Sequence, residues 1–135
     1  MAIEIPLQVA DRLEKEQVIW LTTTKADGTP LPNPVWFYWT GAQFLVFTES
    51  KSVKWKNMAG NPKVALNLNS DADGGEVAIF QAEAGLKGPP PSKEEVESYA
   101  MKYRDGMLSV GLTTESLMAD YSLVRITPMK YRTAI

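Results

Sequence analysis

A segment near the middle of the chain combines hydroxyl and ammonium side chains within a few positions. These residues are Thr48, Ser50, Ser52, Lys51, Lys54 and Lys56. The segment follows a predicted strand and begins a predicted helix, whose first turn leaves backbone N–H groups free to bind an anion. A phosphate group needs short, directional donors and a nearby cation. The pattern therefore predicts a phosphate site; an N-cap followed by solvent-exposed lysines is the alternative that the same residues allow.

The last two lysines of this segment cannot both contact a phosphate in the same way. Lys54 and Lys56 are two positions apart, so on one helix they point to different faces. We expect one of them to reach a phosphate head-on, while the other approaches it from the side.

The composition excludes several kinds of active site. The chain of 135 residues contains no cysteine and no histidine. This removes thiolate and imidazole metal ligands, histidine-ligated haem, and the general base of serine hydrolases. No acidic or basic side chain stands out as a proton donor, and only Tyr38 and Tyr103 are considered for that role. A chain so poor in catalytic side chains either takes its chemistry from a cofactor or does not catalyse.

The bulk properties predict one globular domain that comprises residues 1–135. The composition is 44% hydrophobic and 22% charged, and the net charge of -2 argues against nucleic acid as the main partner. The N-terminal residues lack a basic stretch followed by an apolar core, and no apolar run is long enough to cross a membrane. We therefore expect a cytoplasmic protein.

Hydrophobic periodicity and turn residues predict a mainly β chain with a few short helices. The predicted strands cover residues 18–24, 35–39, 43–48, 63–69, 76–86 and 122–126. The predicted helices cover residues 6–16, 50–61, 92–103 and 114–121. Pro128 is expected to stop the last strand, and residues 85–92 read as a Gly- and Pro-rich loop that could lie over a site. Because strands and helices do not alternate, the pattern predicts an antiparallel β-barrel with helices packed on it.

The predicted strand 35–39 is apolar on both faces. One face can fill the interior of the barrel, and the other must meet a helix, a flat ligand or a second subunit. A fully buried core strand, a wall for a cofactor ring and a dimer interface are all compatible with this pattern.

Four stretches of the sequence resemble, in order and spacing, the pyridoxamine 5′-phosphate oxidase-like split barrels. The stretches cover residues 34–37, 47–48, 52–58 and 61–66, and residues 21–23 with 27–30 fit the family's first hairpin. This family comprises flavin- and deazaflavin-dependent oxidoreductases. Residues 102–106, 111–113 and 120–122 resemble a subgroup that is associated with the deazaflavin coenzyme F420.

The resemblance implies a split β-barrel of the FMN-binding type that forms a homodimer with cofactor sites at the subunit interface. By position, Thr48, Ser52 and Lys54 would hold the cofactor phosphate. Lys56 stands where an arginine is common, so it would keep the charge but lose the bidentate fork. The implied cofactor contacts are Pro34, Val35, Trp36, Phe37, Thr48, Ser52, Lys54, Lys56 and Asn57.

The resemblance also implies a function. The chain would transfer a hydride between bound F420 or FMN and a small organic substrate, with no metal ion. Both cofactors carry a phosphate on a similar side chain, so the sequence leaves both open. Pyridoxamine phosphate itself is not the expected substrate, because the family's arginine on the ring-binding strand and its C-terminal histidine are absent. A non-catalytic FMN-binding or tetrapyrrole-binding carrier or sensor on the same fold is the alternative.

Overall fold

Seven antiparallel strands form one sheet in the computed structural model, which describes residues 3–132. Residues 1–2 and 133–135 of the expected domain lie outside the described part. The strands are β1 (Ile19–Thr24), β2 (Pro30–Val35), β3 (Tyr38–Trp39), β4 (Phe44–Thr48), β5 (Lys63–Asn67), β6 (Ile79–Gly85) and β7 (Ser122–Arg132). Their order across the sheet is β2-β1-β5-β6-β7-β4-β3. The sheet forms an antiparallel half-barrel with short helices, which confirms the predicted fold class.

Five helices accompany the sheet within the described residues. They are α1 (Leu7–Lys15), α2 (Val53–Gly60), α3 (Lys93–Lys102), α4 (Arg104–Ser109) and α5 (Thr114–Asp120). None of them is long and apolar enough to span a membrane. Ser92, where one helix is predicted to begin, forms a capping box, because the Ser92 and Glu95 side chains each bond the other residue's backbone N–H.

Two apolar clusters lie under these helices. The larger one fills the half-barrel with side chains that are fully buried, among them Leu13, Ile19, Leu21, Phe37, Phe44, Phe80 and Ile126. The smaller one joins α3, α4 and α5 through Tyr99, Tyr103, Met107 and Leu117. Phe47 on β4 packs against the smaller cluster, whereas its neighbour Val46 packs in the larger one, as the alternation of a strand requires.

The predicted strand 35–39 is wrong, because the chain leaves the sheet at Trp36 and Phe37. Instead β2 extends through three prolines, at positions 30, 32 and 34. This is possible because β2 is an edge strand that pairs with β1 alone. Prolines at every second position all sit on the same edge, so their missing N–H groups can face away from β1.

The last strand is longer than predicted. Pro128 does not stop β7, which continues to Arg132. The pairing slips between Gln81 and Ala82, which lie opposite Lys130 and Pro128, so the intervening residue forms a bulge. A bulge is one of the few places in a sheet where a proline is tolerated.

The helix boundaries also differ from the predictions. Pro6 is the N-cap of α1 rather than its first residue, and Leu7, the first residue of α1, is 87% exposed. Helix α2 begins later than predicted, at Val53, and Ser52 is its N-cap. Helix α4 was not predicted at all, because its short sequence contains Gly106 and follows α3 without a loop.

Candidate functional site

A cleft of about 460 Å³ lies at the end of β4, between the start of α2 and the helices α3–α5. We call it the β4 cleft. It is lined by Pro34, Val35, Trp36, Phe47, Thr48, Glu49, Ser52, Lys54, Tyr99, Val110, Leu112, Leu117 and Tyr121. Six of the nine predicted site residues are therefore brought together here. The other three, Phe37, Lys56 and Asn57, do not line it.

The polar end of the β4 cleft is formed by Thr48, Ser52 and Lys54. Strand β4 ends at Thr48, which is 4% exposed, and Ser52 caps α2 by accepting a hydrogen bond from the Trp55 N–H at 3.2 Å. The hydroxyl oxygens of Thr48 and Ser52 lie 3.3 Å apart. The N–H groups of the first turn of α2 have no intrahelical acceptors, so an anion placed here would meet hydroxyls, an ammonium group and backbone donors.

One wall of the β4 cleft is formed by Pro34, Val35 and Trp36, where the chain leaves β2. The Trp36 indole stacks on the ring of Tyr103, with centroids 4.6 Å apart and an interplanar angle of 8°. A Cβ atom on Gly106 would lie 2.9 Å from two carbons of the indole. Helix α4 can approach Trp36 only because this position is a glycine.

Phe37 points away from the β4 cleft into the core, where it is fully buried. Its N–H donates a hydrogen bond to the Tyr103 hydroxyl at 2.8 Å. The same hydroxyl lies within donating distance of the carbonyl oxygens of Gln17 (2.7 Å) and Phe37 (2.8 Å). Both backbone groups of Phe37 thus have protein partners, and its predicted contact with a cofactor ring stays a prediction.

Lys102 also contacts the segment between β2 and β3. Its ammonium group donates to the carbonyl oxygen of Phe37 at 2.9 Å and lies 3.8 Å from the centroid of the Phe37 ring. Burial lowers the pKa of Lys102 to about 8. Lys102 and Tyr38 line a separate cleft of about 410 Å³ on the side of α1.

The two tyrosines considered as proton donors therefore lie outside the β4 cleft. Tyr38 lines the separate cleft beside Lys102, and the Tyr103 hydroxyl is committed to backbone groups. Burial raises the pKa of Tyr103, which keeps its proton in place. Their role in proton transfer has no support in this geometry.

The aromatic end of the β4 cleft is formed by Tyr99, Leu112, Leu117 and Tyr121. Sequence reasoning did not select these residues. The signal that was available is the spacing of Tyr99 and Tyr103, which are four apart on a predicted helix and therefore share one face. That Tyr121 meets the same face could not be read from the sequence, since α4 and α5 must first fold back.

Lys56 and Asn57 lie on α2 outside the β4 cleft. Lys56 is exposed, whereas the Asn57 side chain donates a hydrogen bond to the Thr23 hydroxyl at 3.1 Å. Asn57 and Lys54 both line a neighbouring hollow of about 360 Å³. The contacts predicted for Lys56 and Asn57 with a cofactor stay predictions.

The loop of residues 85–92 contributes nothing to the lining of the β4 cleft. Arg125 on β7 donates to the carbonyl oxygens of Pro89 (3.1 Å) and Pro90 (3.2 Å) and thereby holds the loop against the sheet. The same guanidinium makes two hydrogen bonds, of 3.0 and 2.8 Å, to the Glu95 carboxylate. This ion pair lowers the pKa of Glu95 to about 2. In the described state the loop is not a lid.

The donor set of the polar end fits a phosphate-bearing cofactor. Two hydroxyls, first-turn N–H groups and one ammonium group are the partners that a phosphate needs. The volume of the β4 cleft also lies within the range of cofactor sites, roughly 300–1,000 Å³. Within residues 3–132, no cluster of three or more acidic, histidine or cysteine side chains could hold a metal ion.

The antiparallel half-barrel with short helices places this chain in the split-barrel class of proteins. The chain belongs to the pyridoxamine 5′-phosphate oxidase family, whose family model matches residues 5–134. No curated protein sequence matches the chain significantly.

Solved structures share the fold at low sequence identity. An F420 reductase is 24% identical, with 96% of this chain and 100% of that chain aligned and a TM-score of 0.76. The heme storage protein HutZ from Vibrio cholerae is 17% identical, with 98% and 95% aligned and a TM-score of 0.72. An FAD-binding protein from Mesorhizobium loti is 17% identical, with 95% and 92% aligned and a TM-score of 0.70. At these identities the likeness establishes the fold alone.

Proposed function

We propose that this chain is an oxidoreductase that binds F420 or FMN in the β4 cleft and serves hydride transfer to or from a small organic substrate. One observation carries the proposal: the hydroxyls of Thr48 and Ser52 lie 3.3 Å apart beside Lys54, in the same cleft as the Trp36 wall. A phosphate and a planar ring on one ligand would each meet suitable partners there. Membership of the family supports the same assignment.

The cofactor would supply a tricyclic ring that carries two electrons as a hydride. The residues of the chain would bind, orient and shield that ring. Thr48, Ser52 and Lys54 would anchor the phosphate and so fix the distance from the anchor to the ring. Trp36, itself held by Tyr103 and Gly106, would form a rigid wall that keeps water from one side.

The charges of the β4 cleft suit a phosphate group and do not distinguish F420 from FMN. Among the described residues that line the cleft, Lys54 is the one cation and Glu49 the one anion. Lys54 can pair with the phosphate of either cofactor. Titration with each cofactor decides between them.

We propose further that two copies of the chain pair across the open side of the β4 cleft. Val110 lines the cleft yet is 68% exposed, and Val53 at the start of α2 is 60% exposed. A second copy would remove both side chains from water. Light scattering is expected to give twice the chain mass for the wild type and for Leu7→Glu, in which an exposed residue of α1 is changed, but the monomer mass for Val110→Glu. A monomeric wild type would refute the dimer.

A non-catalytic carrier or sensor is the second candidate. It is favoured by one observation, namely that neither tyrosine considered as a proton donor reaches the β4 cleft. The two candidates differ in turnover. The protein is loaded with reduced cofactor and mixed with organic acceptors. For the oxidoreductase, the absorbance of the reduced cofactor is expected to disappear. If the cofactor stays reduced with every acceptor, the result favours the carrier.

The binding site is tested by fluorescence titration of the purified protein with F420 and with FMN. We expect Lys54→Ala to weaken cofactor binding about 10- to 150-fold, because a charge-assisted contact is worth roughly 1.5–3 kcal/mol. Lys51→Ala, an exposed lysine two residues before the start of α2, is the matched control and should leave the dissociation constant unchanged. Lys56→Ala decides whether this exposed residue contributes. An unchanged dissociation constant for Lys54→Ala would refute the phosphate assignment.

A further inference from the structure

The cleft on the side of α1 contains an ammonium group that has no carboxylate partner among residues 3–132. We call it the α1 cleft. It has a volume of about 410 Å³, and its lining includes Leu13, Glu14, Tyr38, Trp39, Met101 and Lys102. Lys102 is half-buried, and none of the salt bridges between described residues involves it. A half-buried charge without a counterion is unfavourable, which points to an anion that enters with a ligand.

The contacts that Lys102 makes with the protein leave its charge uncompensated. Its ammonium group donates to the carbonyl oxygen of Phe37 at 2.9 Å and lies 3.8 Å from the centroid of the Phe37 ring. Its contact with the carbonyl oxygen of Leu13 is 3.4 Å long. Both carbonyl groups and the ring are neutral. Because 3.4 Å is long for an N–H···O hydrogen bond, that N–H can turn towards a carboxylate oxygen at little cost.

The body of such a ligand would meet aromatic side chains. Tyr38 and Trp39 form β3, and both are half-buried. The Trp39 ring packs on Phe44 with centroids 4.6 Å apart, which fixes it from the side of the core. Leu13 and Met101 add apolar surface from α1 and α3. These walls suit a flat, apolar group.

We propose that the α1 cleft binds a small aromatic monocarboxylate, whose carboxylate pairs with Lys102 and whose ring lies against Tyr38 and Trp39. Among the described residues that line the cleft, Lys102 is the one cation and Glu14 the one anion, so a second negative charge on the ligand would be repelled. The α1 cleft shares no lining residue with the β4 cleft. The inference therefore does not depend on the proposed function.

The protonation state of Lys102 controls this pairing. Burial lowers the pKa of Lys102 to about 8, against the smaller opposing effect of Glu16. The other titratable groups around it are Glu14 at the rim, Tyr38 on β3, and Tyr103, which burial keeps protonated by raising its pKa. Affinity for a carboxylate should therefore fall as the pH rises above about 8, by at most about tenfold per pH unit.

The test uses 2-naphthoate and its neutral amide, 2-naphthamide, as probes. Binding is followed by NMR of the tryptophan indole N–H groups, because Trp39 lines the α1 cleft and Trp36 lines the β4 cleft. Trp39→Phe assigns the signal. At pH 7 we expect naphthoate to shift the Trp39 signal and not the Trp36 signal. Naphthoate should bind roughly tenfold more tightly than the amide, the effect of one charge-assisted contact at a partly exposed site.

Three variants test the charges. Lys102→Met should remove the preference for naphthoate over naphthamide, and Lys87→Met, at an exposed lysine outside the α1 cleft, should retain it. Glu14→Gln removes the anion at the rim, so it should strengthen binding of naphthoate and leave naphthamide unchanged. Because Glu14 is exposed, this variant tests the charge even if Lys102→Met fails to fold.

A purely structural role for Lys102 predicts a different result. If Lys102 only holds the Phe37 carbonyl group, Lys102→Met changes the urea midpoint but not the affinity for naphthoate. The proposal is overturned by that outcome, by a Trp39 signal that does not move at millimolar naphthoate, by equal binding of the amide, or by a shift of Trp36 instead of Trp39. Failure of FMN and F420 to bind would refute only the proposed function.

Discussion

The Trp36 indole lies flat on the Tyr103 ring, with centroids 4.6 Å apart and planes 8° from parallel. Trp36 belongs to the break between two strands, and Tyr103 ends helix α3. The stack therefore joins the helical part of the chain to a wall of the β4 cleft. Tyr103 also forms a hydrogen bond with the backbone of Phe37. The helices therefore fix the position of the wall at Trp36 and do not merely cover the β4 cleft.

Gly106→Ala should disturb this stack. The added Cβ would lie 2.9 Å from two carbons of the Trp36 indole, and overpacking of this kind costs roughly 1–3 kcal/mol. We expect that loss in the free energy of unfolding in urea, together with weaker cofactor binding. The control is Gly60→Ala, at a helical glycine whose Cβ would meet nothing within 4 Å. It should gain up to about 1 kcal/mol from helix propensity. Equal effects of the two variants would contradict the steric explanation.

Tyr103→Phe should cost stability without removing the stacked ring. The change leaves the buried N–H of Phe37 without its 2.8 Å acceptor, and a buried unpaired donor costs roughly 1–3 kcal/mol. Urea unfolding measures the loss. Tyr38→Phe is the control, because Tyr38 is a half-buried tyrosine that contributes no hydroxyl hydrogen bond to the described network. A wild-type midpoint for Tyr103→Phe would mean that water replaces the lost acceptor.

The parts of the fold that the sequence predicted are those with local causes. The helix that begins after Ser92, the hairpin turn within residues 27–30 and the strand predicted at residues 63–69, which is β5, each depend on a few neighbouring residues. The polar end of the site is local in the same way. Thr48 ends a strand, Ser52 caps the next helix, and Lys54 follows within its first turn.

The parts that were missed depend on distant pairing. Prolines in β2 and at Pro128 are tolerated only because one strand lies at the edge of the sheet and the other contains a bulge. Neither fact is encoded near the proline itself. The aromatic end of the site is missed for the same reason, since Tyr99 and Tyr121 meet only after α4 has turned the chain back. In the sequence, Gly106 indicates a break in a helix. Only the structure shows that a glycine is needed there, because the Trp36 ring lies beside it.

Lys102 should make stability depend on pH under alkaline conditions. Burial lowers its pKa from an ordinary value of 10.5 to about 8, so between these values the unfolded chain binds more protons at this lysine than the folded chain. Stability therefore gains a contribution as the pH rises through this window. The stability of the wild type relative to Lys102→Met should rise from about pH 8 to about pH 10.5 in urea unfolding. Lys87→Met, at an exposed lysine, is the matched control for the change from lysine to methionine.

Glu95 should make the free energy of unfolding depend on pH under acidic conditions. Its two hydrogen bonds with Arg125 lower its pKa from an ordinary value of 4.5 to about 2, so the folded chain releases this proton more readily than the unfolded chain. The stabilising contribution is complete above pH 4.5 and is lost as the pH falls towards 2.

Glu95→Gln tests this contribution, because glutamine retains an oxygen that can accept the Ser92 N–H but removes the charge that faces Arg125. We expect the variant to lose roughly 1–2 kcal/mol at pH 7, since the ion pair is bidentate but partly exposed. Below about pH 4.5 the difference from the wild type should shrink steadily. Glu97→Gln on the same helix, whose exposed carboxylate lies 3.8 Å from Lys93, should cost little at pH 7. A difference for Glu95→Gln that persists unchanged to acid pH would show that packing of the loop at residues 85–92, rather than the charge, determines the effect.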